Sequence, residues 1–174
     1  MAIDLHWAEG RLARQAAVIY ALVAGIGDEQ AHWQPSPDDW SVVEVINHLY
    51  DEEREDFRQR LDLILRDPTA DWPPIHPGAW VTERRYNDRD LATSVQALQL
   101  EREKSLAWLY GLAQAHADLT ITKTDPRLGS MAAGEMLAAW VAHDCLHIRQ
   151  LNELNYRYLE RLTSPYAVGY AGDW

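Results

Sequence analysis

The chain carries a single cysteine, Cys145, so no internal disulfide can form, and a reducing compartment is the natural setting. Long apolar runs are missing as well: none approaches the ~20 residues that cross a bilayer, and no transmembrane span is expected. Basic residues are in the minority, 16 Lys and Arg against 27 Asp and Glu, for a formal charge of -11. That deficit speaks against a nucleic-acid binder, which needs a basic footprint to neutralise phosphates, and against docking to an anionic membrane. The first residues, MAIDLHWAEGRLARQ, lack the basic start, apolar middle and small-residue cleavage site of a secretory signal, so a cytoplasmic location is the expectation. Phenylalanine is as scarce as cysteine, one residue against eight tryptophans. Tryptophan joins a large apolar body to one N–H that wants a partner, which suits cores, pocket walls and interfaces alike.

What is present is ordinary for a globular protein: 174 residues, 47% hydrophobic and 25% charged. That length fits one domain over 1–174 with a core that needs no staples. Much of the acidic excess falls in DEEREDF (51–57), which reads as a solvated helical face.

Hydrophobic periodicity predicts four helices and no strand. The first runs from about Asp4 to Ile26, with Leu5, Leu12, Ala16, Ile19, Val23 and Ile26 at three- and four-residue spacing. The second opens at Ser41, where Ser41 and Glu44 have the S-x-x-E spacing of a capping box, and runs to Arg66 before Asp67-Pro68. The third covers roughly Asp90 to His116 and the fourth roughly Ala132 to Asn155. Between 67 and 87 lie four prolines, two tryptophans and no periodicity, so this reads as a loop. Four amphipathic helices make an all-α four-helix bundle. A connection of about twenty residues can return the chain to its starting level, so the second and third helices are expected to run parallel.

Inside the fourth helix the chain reads AHDCLHIRQL (142–151). His143 and His147 stand at i and i+4, so both imidazoles leave the same face, in the middle of the stripe Met136, Ala139, Trp140, Gln150, Leu151 and Leu154. Two histidines in an apolar interior each need a partner for a ring nitrogen, and that partner is either a metal or a polar core neighbour. His48, between Val45, Ile46 and Leu49 on the second helix, also faces inward. Three inward histidines from two helices can meet at the bundle axis, and three protein ligands leave a position for water or substrate. Imidazole ligands suit zinc, nickel, iron and copper alike. Cys145 sits about 200° round from His143 and reads as a buried small residue rather than a ligand. Asp144, about 100° from His143, either orients a ligand or forms a salt bridge. Glu44 is engaged in its cap, which leaves Glu52 as the preferred carboxylate near the site. Trp80, Trp140 and Arg149 are candidate pocket walls or anion contacts. His6, His32, His76 and His116 fall near helix ends or in loops and read as structural or exposed.

The order of these pieces resembles the DinB/YfiT-like superfamily of bacterial proteins over nearly the whole chain. The resemblance rests on WSVVEVINHL (40–49), Arg89-Asp90-Leu91 opening the third helix, Pro-Arg-Leu-Gly at 126–129, His143-Asp-x-x-His147-x-x-Gln150 and a closing YAGDW (170–174). It implies an up-down-down-up bundle, a divalent metal (zinc or nickel, with iron as a further candidate) on His48, His143 and His147, and a homodimer. It also implies one of two activities on a small-molecule substrate: hydrolysis by metal-bound water, or transfer using a metal-bound low-molecular-weight thiol. In either case Glu52 or Asp144 would serve as base or ligand orienter. The competing expectation is a non-catalytic metal- or ligand-binding bundle with a structural or stress-related role.

Overall fold

A computed structural model describes residues 3–125 and 129–172. Pro126 to Leu128 of the Pro-Arg-Leu-Gly stretch, and the Asp173-Trp174 that closes the chain, lie outside the described residues. The bundle is built from α1 (Leu5–Val23), a rod made of α3 (Val42–Glu52), a π turn (Glu53–Phe57) and α4 (Arg58–Arg66), then α6 (Leu91–Gln114) and α7 (Ala133–Thr163). Shorter pieces join them: α2 (Asp28–His32), α5 (Pro77–Glu83) and the hairpin strands β1 (Thr122–Asp125) and β2 (Gly129–Ala132).

Three helices start where side-chain caps meet their first free N–H groups. Asp4 accepts from Trp7 N at 2.8 Å, Asp90 accepts from Thr93 N at 2.7 Å, and Ser41 and Glu44 form the predicted reciprocal capping box. Cross-helix contacts give the directions. Asn47 meets Ser94, and Arg58 meets Ser105, so the rod and α6 run parallel. Gln15 meets Val141, and Asn155 meets Leu22, so α1 and α7 also run parallel. His48 meets His143 while Trp40 lies against His147, which makes the rod antiparallel to α7. The order is up-down-down-up, as the long second connection requires.

That connection is more structured than its prolines suggest. It carries α5 and a 3-10 turn at Tyr86–Asp88, strapped to α3 by polar side chains. Asp51 accepts from Arg84 at 2.6 Å, from the Tyr86 hydroxyl at 2.5 Å and from Arg54 at 3.0 Å, and Arg89 donates to Asn47 at 2.8 Å. Burial would raise the Asp51 carboxyl, but the donors Tyr86, Arg84 and Arg54 outweigh it and hold it below its ordinary value. At the other end, buried Lys123 of β1 donates to the carbonyls of Pro68 and Ala70. The β hairpin was not foreseen: it pairs Thr122 with Ala132 and delivers the chain into α7. The fourth helix also extends past Asn155 to Thr163, because Leu154 and Tyr158 keep its buried stripe going.

Two apolar clusters fill the bundle. One gathers Leu5, Leu12, Phe57, Leu61, Leu109, Leu137 and Trp140, the other Ile19, Val45, Ile46, Leu49, Leu98, Leu151 and Leu154. On every bundle helix the residues between these clusters are polar and buried: Gln15 on α1, Glu52 and Glu53 on the rod, Glu101, Arg102 and Ser105 on α6, Asp144 and His147 on α7. A polar layer therefore cuts the core across all four helices. This corrects the reading of DEEREDF as a solvated face. Asp51, Glu52, Glu53, Asp56 and Phe57 are buried, and only Arg54 and Glu55 are partly exposed. The buried acids are tolerable because distant parts of the chain bring cations to them.

Candidate metal centre

The polar layer holds His48 from α3 beside His143 and His147 from α7. The Nε2 atoms of His48 and His143 lie 3.3 Å apart, those of His147 and His143 3.1 Å, and one nitrogen from each ring lies within 4.8 Å of the others. Among the described residues this is the cluster of His, Cys, Asp and Glu groups able to hold a metal ion. The tautomer of His147 follows from its neighbour. Gln150 Oε1, 2.8 Å from Nδ1, can only accept, so Nδ1 carries the proton and Nε2 presents a lone pair to the centre.

Charge cannot relieve this crowding. Burial pushes His48 down to about 3 and His143 down to about 2, each assisted by the neighbouring imidazoles, and burial lowers His147 against the pull of Gln150. All three rings are neutral at ordinary pH, which is the state a metal requires. Neutral imidazoles whose Nε2 atoms converge have too few protons to satisfy one another. A cation at the point of convergence answers that deficit, so the residues present fit a divalent metal.

Aromatic rings hold the histidines in place. Trp40 packs against His48 with centroids 4.8 Å apart and lies parallel to His147 at 6.5 Å. Phe57 packs on His143 at 4.9 Å and stacks on Trp140 at 6.0 Å. His143 is the most open of the three, with 17% of its side chain exposed.

Glu52 sits beside the triad as expected, its Oε2 4.0 Å from His143 Nε2. Its other oxygen is buried without a partner. Burial, then the adjacent Asp56, pushes this carboxyl up to about 8. Asp56 is itself raised by burial, opposed by Arg60, whose Nε lies 2.9 Å away. His48, Glu52, Asp56 and Arg60 recur at four-residue spacing and continue one polar row along the rod.

The remaining candidates fall elsewhere. Asp144 is not a free base, since both of its oxygens accept from Arg102, at 2.7 and 3.0 Å. Of the two readings for Asp144, the salt bridge is the one observed. Trp140 is a fully buried core residue whose Nε1 donates to Glu53 at 3.1 Å. Trp80 is buried in a small cluster with Val81 and Tyr86, behind Trp40, and the Arg84 guanidinium lies 3.9 Å over its ring. Arg149 is exposed, about 200° round α7 from His147, and contributes nothing to the triad. Cys145 does point away from the histidines, but it is exposed rather than buried, with Gln15 Nε2 2.8 Å from its sulfur. Gln150 stood on the histidine face in the sequence, but without the role its bond to His147 gives it. Trp40, Phe57, Glu53 and Arg102 were not foreseen as parts of the site and had no local signal.

Opposing titrations predict a stability optimum for the metal-free protein. The histidines fold neutral, so stability falls as pH drops below 6.5, by up to about 1.4 kcal/mol per unit for each of His48 and His143. Glu52 folds protonated, so its contribution is present below 4.5 and is lost as pH rises to about 8. Between 4.5 and 6.5 the three histidines outweigh Glu52, and above 6.5 the raised acids act, Glu52 with Asp56 and Glu53 in the same direction. Chelated protein is expected to be most stable near pH 6.5, and to lose up to about 2 kcal/mol between there and pH 8. Denaturant melts from pH 4 to 9 measure this, and a profile rising steadily to pH 8 would contradict it.

The DinB superfamily model matches residues 11–151 of the chain. Among solved structures, YfiT from Bacillus subtilis, described as a probable metal-dependent hydrolase with an unusual four-helix bundle topology, superposes with a TM-score of 0.77. The two share 22% identity over 90% of each chain, a likeness that carries the fold. No curated protein matches.

Proposed function

The chain belongs to the DinB superfamily, and on that premise we propose that it is a metal-dependent hydrolase of a small molecule, with His48, His143 and His147 as the ligands of one divalent cation. The observation that carries the proposal is the convergence of three neutral imidazole nitrogens within 4.8 Å, next to a buried carboxyl at 4.0 Å. Zinc and nickel both suit such a donor set, and iron is a further candidate. When bound, the cation supplies Lewis acidity and draws the pKa of a coordinated water toward ~7.

The chain's own residues do the rest. Gln150 holds the His147 ring in the ligating tautomer. Trp40 and Phe57 fix the ring planes and keep water from the buried side. Glu52, a buried carboxyl raised to about 8, acts as base through its ionised fraction, accepting the proton released as water attacks the substrate and returning it to the leaving group. His143, the most open ligand, marks the side from which substrate arrives.

Thiol transfer would use the same ligands; Glu52, poised to take a proton from water, favours hydrolysis. On the same proposal, residues 1–174 form one domain that works as a homodimer in the cytoplasm and binds neither nucleic acid nor membrane. No described helix is long and apolar enough to cross a bilayer.

The test starts from protein purified without a nickel column, stripped by chelation and reloaded with zinc, nickel or iron separately. One metal per chain, with ester or amide hydrolysis restored only in a loaded form, is the expected result. A melting shift with bacterial thiols, confined to loaded protein and without hydrolysis, would move the assignment to thiol transfer. Metal uptake that restores neither activity leaves a non-catalytic metal-binding bundle.

A further inference from the structure

Arg102 touches none of the three histidines, yet it ties together the helices that carry them. Its Nε donates to Glu53 at 2.7 Å, on the π turn. Its two terminal nitrogens donate to Asp144 on α7 at 2.7 and 3.0 Å, and one of them also reaches the Leu12 carbonyl of α1 at 3.0 Å. Arg102 is 3% exposed and both carboxylates are 1% exposed.

The placement of these partners matters. Glu53 follows Glu52 in the chain, and Asp144 follows His143. The guanidinium therefore spans from the neighbour of the candidate base to the neighbour of a ligand. Apolar contacts are non-directional and tolerate small slides of one helix on another. A planar fork paired with carboxylates fixes both separation and angle. The π turn begins at this point: Glu52 closes α3 beside the triad, and Glu53 opens the π turn on Arg102, both of them buried.

The hydrogen bonding is complete at both ends. Trp140 and Arg102 between them donate to both oxygens of Glu53, and Arg102 donates to both oxygens of Asp144.

We propose that Arg102 is a positioning residue of the metal centre: through Glu53 and Asp144 it sets the separation at which His48 meets His143 and His147. The inference rests on the metal-site reading given above.

The test is a cobalt(II) titration of chelated protein followed by visible absorption, with the wild type alongside. Arg102→Lys keeps the charge but loses the fork. The triple variant Glu53→Gln, Arg102→Met, Asp144→Leu removes the buried charges, keeps an acceptor for Trp140 and fills the rest with apolar groups of similar size, a kind of exchange that folded cores accept. Leu109→Ala loosens the core on the same helix without touching the network and controls for lost stability. Both network variants are expected to bind cobalt ~10–100-fold more weakly, with weaker and broader visible bands, while Leu109→Ala retains wild-type affinity and spectrum. Wild-type titrations and spectra in both network variants would overturn the inference, as would an equal loss in Leu109→Ala. A wild-type chain that takes up no cobalt would overturn it together with the metal reading, and so is distinguishable from failure of Arg102 alone.

Discussion

On the proposed hydrolase reading, Glu52→Gln is expected to lower turnover of the metal-loaded protein by about 10²–10⁴-fold, the range that general acid–base catalysis supplies. Glu52 is 4% exposed, its Oε2 lies 4.0 Å from His143 Nε2, and its other oxygen has no partner. Burial and the neighbouring Asp56 raise it to about 8, so near neutral pH it exchanges a proton readily in either direction. Glutamine keeps the shape and the capacity for hydrogen bonds but cannot take up a proton. The loss is therefore expected in kcat, with KM little changed and metal content unaltered. A second signature separates the role in proton transfer from damage to the fold. In the chelated protein the variant should escape the loss of up to about 2 kcal/mol that wild type suffers between pH 6.5 and 8, because it has no buried carboxyl to ionise at this position. Unchanged turnover with full metal would sink the assignment of Glu52 as base.

The second large effect concerns the ligands. Structural zinc sites bind with roughly 10–16 kcal/mol, so one of four ligands is worth about 3–4 kcal/mol, or ~10²–10³ in affinity. Replacing His48, His143 or His147 singly with alanine is expected to weaken binding by that amount, with comparable losses at all three positions. Equal losses are expected because each ring directs a nitrogen to the same point, within 4.8 Å of the others. The fold should survive, since the two apolar clusters on either side of the polar layer do not depend on the metal. Removing the metal should accordingly leave helicity intact and lower the melting temperature only by the binding contribution. Calorimetric titration and circular dichroism of the three variants measure both quantities. If one of the three binds as tightly as wild type, that residue is not a ligand.

Much of the site was legible because its signals are local. The i, i+4 spacing of His143 and His147 places both on one face of any helix that contains them. His48 lies among Val45, Ile46 and Leu49, which point it inward, and the Ser41–Glu44 box marks where its helix begins. Other features had no local signal. DEEREDF looked like a solvated face because its partners Arg84, Tyr86, Arg102 and Trp140 are remote in the chain. Asp144 could orient a ligand or pair with a cation, and only the position of α6 selects the second. Cys145 was expected in the core from its residue type, yet it faces outward because the interior face of α7 belongs to Asp144 and His147. The prolines between 67 and 87 hid α5, whose first helical residue is itself Pro77, a position where proline is accommodated.

Periodicity, capping and histidine spacing thus determined by themselves the four helices, their inward faces and the three candidate ligands. These are properties of a helix considered singly, and short-range sterics and hydrogen bonds suffice to impose them. Only the tertiary structure decided which acids are buried, that Arg102 joins Glu53 to Asp144, and that Glu52 stands at the triad with a raised proton affinity. The reason is physical: the energy of a buried charge depends on what surrounds it, and here, beside local neighbours such as Asp56, the partners that cover these acids come from residues 33 to 91 positions away in the chain.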